Sequence, residues 1–343
     1  MNGNPETKRE EASLFLPPEW AHHEATWLSW PNSGGASFDK EDLARVLPTI
    51  ARFLNTLLES GETIHINVSA DWEKHLIDST ISGHHRHCVR YFEIPTNEPW
   101  CRDHGPTFLS NGAGKRAAVC WKYNAWGQKY HPYSMDKSAA RRMAGALDIE
   151  PITPDLVLEG GSIDSGESRS LLVSESSVVN SNRNANADKL SIERVLKQSL
   201  GAETIIWLNC EIPGDDTDGH IDCFARNAPG QRVLVPGPGG WMDSASTEVA
   251  DIQRPLLENK LEVVELPTPA KKTVRGLLVP ATYANYYVAN NVVVVPSFND
   301  PCDEEAARVI SFCYPDRPTT QIDATELIYG QGGFHCLTQQ LPT

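Results

Sequence analysis

Apolar residues recur at helical spacing in five stretches of this chain. Leu43, Leu47, Ile50, Leu54, Leu57 and Leu58 mark the first, from about Glu41 to Glu59. Pro48 inside it predicts a kink or a delayed start. The others run from Asp136 to Leu147, Asp188 to Leu200, Thr247 to Asn259 and Asp303 to Cys313. Short apolar or β-branched runs between them predict strands at Thr63 to Val68, Gly105 to Leu109, Ala118 to Trp121, Leu156 to Leu158 and Ser170 to Val173. Further strands are expected at Thr204 to Leu208, Arg232 to Val235, Leu261 to Leu266 and Tyr286 to Val295. Roughly five strand–helix–strand units therefore fill the chain, without a residue-level repeat between them. The alternation predicts an α/β fold, and leaves both an open sheet and a closed, propeller-like arrangement available. Residues 1–15 open on a polar, charged run and are expected to form a flexible tail ahead of a single domain at 16–343.

The 343 residues are 40% apolar, enough for a large packed core. The formal net charge of −15 argues against a nucleic-acid partner, which needs basic patches, and mildly favours a cationic one. The longest apolar runs, such as Val292 to Val295, are far short of a membrane span. No apolar segment follows the charged start, so a cytoplasmic location is expected. The eight cysteines show no C-x-x-C and no paired spacing, which predicts free thiols. Neither G-x-G-x-x-G nor G-x-x-x-x-G-K-[ST] occurs, so nucleotide chemistry is not expected.

Four segments are dense in reactive side chains. Trp100 to Thr107 puts Asp103 beside a tryptophan just before a predicted strand, an arrangement suited to a planar organic cation; a plain Arg102–Asp103 turn is the alternative. Glu159 ends an apolar run and precedes Gly160 and Gly161, so it is either a half-buried proton carrier or a solvent-facing turn acid. Gly214 to Asp222 carries His220 and Asp222, which a strand would place on one face as an acid/base pair. An acidic surface turn or a calcium loop competes there, but the closing glutamate of such a loop is missing. Gly330 to Gln340 holds Cys336 beside His335 after a glycine-rich turn, as an exposed nucleophile or a small buried thiol. His84-His85-Arg86-His87-Cys88 lacks a second ligand pair and is read as a solvated loop. Taken together, Cys336, His220, Asp103, Glu159 and Asp222 have too many acids for simple acyl transfer. Several carboxylates around one thiol suit a cation with several N–H donors, such as a guanidinium.

On these residues the chain resembles the agmatine deiminase and bacterial peptidyl-arginine deiminase family of guanidino-group-modifying enzymes. The resemblance rests on Pro18-Glu19-Trp20 with Glu24-Ala25-Thr26-Trp27, Trp100 with Arg102 to Pro106, Asn124 to Gly127, Leu158 to Ile163, Asp215 to Asp222, Tyr283 to Asn290 and His335 to Gln340. It spans about residues 16 to 342. It implies a five-bladed α/β-propeller of the pentein type, built from pseudo-fivefold ββαβ units. It implies that Cys336 is the nucleophile, His220 and Glu159 the acid/base pair, and Asp103 and Asp222 the guanidinium clamps. Trp100, Trp126 and Asp216 are implied pocket residues. The implied reaction converts agmatine to N-carbamoylputrescine and ammonia, a step toward putrescine, through a covalent Cys thiouronium, with no metal or organic cofactor. The implied partner is a small cationic guanidino substrate, with no nucleic acid or membrane; a homodimer is a permitted assembly. Three positions depart from the agmatine branch: His104 stands where threonine is common, and Gly333-Phe334 where Asn-Ile is common. Rival readings are a peptidyl-arginine or free-arginine deiminase, the latter needing a cationic clamp from Arg102, Arg183 or Arg226, and a non-catalytic guanidino-binding protein.

Overall fold

The computed structural model describes residues 13–242 and 247–343. All five expected helices form, at Lys40–Glu59, Asp136–Ala146, Lys189–Leu200, Glu248–Glu258 and Asp303–Cys313. The first begins at a capping box. Asp39 accepts from the backbone N–H of Glu41 and Asp42 at 2.7 and 2.8 Å, and Asp42 accepts from that of Asp39. It then runs unbroken through Pro48. A mid-helix proline costs ~3 kcal/mol. Val46, Ile50, Phe53, Leu54, Leu57 and Leu58 are all buried on its inner face, and each is worth ~1.5–3 kcal/mol, so burial outweighs the proline.

Each helix connects two parallel strands, and each such pair carries a third, antiparallel strand. The sheets are Thr107–Ser110, Arg116–Val119 and Pro151–Ile152; Ile163–Ser165, Ser170–Ser174 and Thr204–Leu208; Arg226–Ala228, Arg232–Pro236 and Glu262–Leu266; and Tyr287–Val288, Val293–Ser297 and Thr319–Asp323. In each, the first two strands are antiparallel, and the third pairs in parallel after the helix. The remaining unit takes its first strand from the far end of the chain. Thr338–Pro342 lies antiparallel to His23–Ser29, which pairs in parallel with Ile64–Val68 and through it with Val89–Glu93. The hydrogen bonds of the C-terminal strand thus tie the two ends of the chain together. These are separate sheets, and the molecule is a mixed α/β fold.

Several expectations shift. Leu156 to Leu158 is a single bridge between Lys122 and Val157 rather than a strand. Tyr286 to Val295 is broken into two strands, because Asn290 turns away to bind the backbone of His23 and the carboxylate of Glu62. A helix at Asp71–Thr80 and a hairpin of Lys272–Val274 with Leu277–Val279 were not expected. Of the expected tail, residues 1–12 lie outside the described residues, while Phe15 exchanges backbone hydrogen bonds with Ser110 at 3.0–3.1 Å. No helix among the described residues is long and apolar enough to cross a membrane.

Candidate active site

The five units share one local feature. A short turn sits just before the first strand of each, and all five turns carry polar side chains inward. The turns hold Asp103 before Thr107–Ser110, Glu159 before Ile163–Ser165, His220 and Asp222 before Arg226–Ala228, Asn285 before Tyr287–Val288 and Cys336 before Thr338–Pro342. All six side chains are buried. His220 and Asp222 do not share a strand face as expected: Ile221–Cys223 is a single 3₁₀ turn. Asp215 folds that loop by accepting from the N–H of Thr217 and Gly219 at 3.1 and 2.7 Å. The two side chains consequently serve different neighbours.

His220 sits between two acids. Its Nδ1 is 3.7 Å from Asp103 and its Nε2 3.6 Å from Glu159. Gly161 makes this possible, since a Cβ there would run into the His220 ring and Asp103. Burial opposes charging His220, but Asp103 and Glu159 overcome it and raise its pKa to about 9. Burial pushes Asp103 up, with Asp222 and Glu159 adding to it and His220 opposing. Glu159 is held below the usual range: burial raises it, but His220 and Arg183 more than compensate. Arg183 Nε donates to Glu159 at 2.9 Å and Nη1 to Asp218 at 2.6 Å. Asp103 accepts from the Gly161 N–H at 2.9 Å and from Trp126 Nε1 at 3.0 Å. Trp126 reaches it from a left-handed backbone, φ 53° and ψ 43°, flanked by Ala125 at φ 52°. Such strain is characteristic of functional sites.

Asp222 instead receives His335. Its Oδ2 lies 2.6 Å from His335 Nδ1 and 3.5 Å from Cys336 Sγ. Burial raises Asp222, but the hydrogen bond and charge of His335 prevail and bring it down to about 2. His335 Nε2 is 2.7 Å from Glu19, which also receives Arg102 Nη2 at 3.1 Å and Arg226 Nη2 at 2.8 Å. The three arginines named as possible carboxylate clamps are therefore all engaged in buried pairs, Arg226 also with Asp164. The Cys336 thiol is pushed above its ordinary pKa: Cys223 hydrogen-bonds it and works against the rise, but burial, Asp222 and Asp103 win.

A cleft of about 300 Å³ opens onto this cluster. Cys336 and Asp103 line it together with Trp100, Trp126 and Asp216, so five of the sequence-named residues face one space. His220, Glu159 and Asp222 lie against those residues. Tyr130 donates to Asp216 at the cleft wall, and burial lifts Asp216 to about 6. No lysine or arginine is among the described lining residues. Lys129, close by, is committed to Asp218 and to the Asp216 carbonyl. Sequence reasoning did not single out Tyr130, Thr217 or Gln331 as lining residues, nor Asn285, which hydrogen-bonds the Cys336 sulfur. Nothing in a lone tyrosine or amide signals a site, although Asn285 lies inside one of the family segments. His104 is not among the cleft-lining residues and binds Ser29 Oγ at 2.9 Å. The His84–Cys88 tract forms a 3₁₀ turn with no buried residue, and no metal-holding group of His, Cys, Asp and Glu occurs among the described residues.

Known proteins resemble this chain over nearly all of their length. A Selenomonas ruminantium protein assigned as an agmatine deiminase is 31% identical, covering 96% of each chain. The C. jejuni agmatine deiminase, solved as a cysteine-to-serine variant with substrate bound, superposes with a TM-score of 0.86 at 26% identity, over 96% of this chain and 97% of that one. A Porphyromonas gingivalis structure assigned as an arginine deiminase gives 0.84 at 28% identity, over 96% and 99%. Residues 15–342 match the Porphyromonas-type peptidyl-arginine deiminase family, to which this chain belongs.

Proposed function

We propose that this protein is an agmatine deiminase, hydrolysing the guanidino group of agmatine to N-carbamoylputrescine and ammonia. The observation that carries the reading is the cleft itself: a cysteine beside Asp103, a second carboxylate (Asp216) along the wall, and no cationic side chain among the described lining residues. A guanidinium at one end and an ammonium at the other match two acidic stations. Free arginine would bring an α-carboxylate to the same wall, and Arg102, Arg183 and Arg226, none of them among the described lining residues, are already held in buried pairs.

In this reading Asp103 and Asp222 clamp the guanidinium edges, and Trp100 and Trp126 wall the cleft around it. The Cys336 thiol is neutral in the free enzyme, and the arriving cation offsets the nearby carboxylates and favours the thiolate, the thiol proton passing to solvent as the substrate enters. Thiolate attack on the guanidino carbon gives a tetrahedral adduct. His220, protonated at neutral pH, gives its proton to the departing nitrogen, and ammonia leaves. The resulting S-alkylthiouronium is attacked by water that His220, now neutral, deprotonates; collapse releases the ureido product and the thiol. Glu159 steadies the imidazolium before the first of these proton transfers and after the second. The five units are read as blades of a five-bladed α/β-propeller whose turns meet at its centre, in a single domain that works in the cytoplasm. The test is one panel: agmatine, free arginine and an arginyl peptide, with ammonia and ureido product measured for each. Agmatine should be turned over fastest. Faster turnover of the peptide or of arginine would refute the assignment.

A further inference from the structure

Four of the five inward turns supply a residue with a role in the proposed chemistry; the fifth supplies Asn285. Its side chain is buried and fully engaged around the nucleophile. Oδ1 accepts from the N–H of His335 at 3.1 Å and of Cys336 at 3.2 Å, which fixes the turn that carries the thiol. Nδ2 points the other way, 3.1 Å from Cys336 Sγ, with the Asp222 carbonyl at 3.5 Å and Cys223 Sγ at 3.8 Å. Gly333 leaves room for this, since a Cβ there would come within 2.6 Å of Asn285 Oδ1.

The sulfur faces charged and titratable neighbours from every side: Asp222 and Cys223 on the turn before Arg226–Ala228, Asp103 on the turn before Thr107–Ser110, and His335 on its own turn, itself bound to Asp222. The carboxylates oppose a thiolate. Among these groups Asn285 brings an N–H to the sulfur with no charge to lose.

We propose that Asn285 is a further catalytic residue, whose amide N–H stabilises the Cys336 thiolate while its carbonyl holds the nucleophile turn. The proposal rests on Cys336 being the nucleophile. It is tested without turnover, by following the ultraviolet absorbance of the thiolate across the alkaline range, with the Cys336→Ala signal subtracted. That readout stands whatever the substrate proves to be. Asn285→Ala should move the Cys336 midpoint up by about one pH unit, the size expected for one lost hydrogen bond to a charged group. Asn285→Asp keeps the acceptor for the two backbone N–H groups but loses the donor, and should move the midpoint at least as far. Should the alanine variant unfold by circular dichroism, Asn285→Ser takes its place. A Cys336 midpoint unchanged in these variants, whatever their activity, would overturn the proposal and leave Asn285 a purely structural residue. Failure of the parent reading would look different: Cys336→Ala would retain turnover.

Discussion

Replacing Asp103 with asparagine removes one charge from the centre of the site and should be visible in two independent ways. The first is on His220. Opposite charges 3.7 Å apart attract by ~4 kcal/mol at an effective dielectric of about 20, equivalent to ~3 pKa units. Glu159 and Asp222 remain, so His220 keeps part of its elevation, and its pKa should fall from about 9 by roughly one to three units. The second is on the substrate. A buried carboxylate accepting hydrogen bonds from a guanidinium is worth ~2–5 kcal/mol, so kcat/KM for agmatine should drop by roughly thirtyfold to several thousandfold. Asparagine can still accept from the Gly161 N–H, but its NH₂ then confronts Trp126 Nε1–H, donor against donor, at a further cost of ~1–3 kcal/mol. The assay is the pH profile of kcat/KM, with the ring ¹⁵N shifts of His220 titrated in parallel. A His220 midpoint that stays at its wild-type value would refute the electrostatic account of the histidine. An unchanged kcat/KM would refute the clamp.

Other changes separate the remaining parts of the site. Asp216→Asn should weaken agmatine severalfold or more while sparing an alkylguanidine that lacks the terminal amine; equal loss for both, in steady-state kinetics, would remove Asp216 from tail recognition. His220→Asn should lower kcat by roughly 10²–10⁴-fold, the range for a lost acid/base group. The same variant tests stability: His220 has a folded pKa of about 9 against an ordinary 6.5, so its contribution is complete below pH 6.5 and lost as pH rises through 9. Wild type should lose on the order of 3 kcal/mol across that window in urea titrations, and the variant should lose less. Arg226→Ala takes a buried cationic partner from both Glu19 and Asp164 and empties the contacts to the Ala284 and Tyr286 carbonyls, and should destabilise the fold by about 3–5 kcal/mol.

The helices and most central strands could be read from the sequence because burial on one face leaves a periodic record. The first helix shows the limit of local rules: Pro48 predicted a kink or a delayed start, and the helix instead begins at Lys40 and continues past it over six buried apolar side chains. The pairing of Thr338–Pro342 with His23–Ser29 left no such record, since register between segments some 300 residues apart is set by tertiary contact alone. The reactive residues stood out where acids, histidine and cysteine sat beside glycines, at the end of an apolar run or in a glycine-rich turn, as at Glu159, His220 and Cys336. What they touch did not. Spacing paired His220 with Asp222, whereas the folded loop gives His220 to Asp103 and Glu159, and gives Asp222 to His335. Arg183 was considered as a clamp for substrate and instead neutralises Glu159 and Asp218. Tyr130 and Asn285 carry no distinctive chemistry of their own and acquire meaning only from position.

The central claim is that the Cys336 sulfur bonds to the guanidino carbon during turnover. Rapid acid quenching of the enzyme with agmatine, followed by intact and peptide mass spectrometry, tests it directly. The account predicts a species heavier than the free enzyme by agmatine less ammonia, located on the peptide containing Cys336 and absent from Cys336→Ala. Product formation with no such adduct at any quench time, or the adduct on another cysteine, would contradict it.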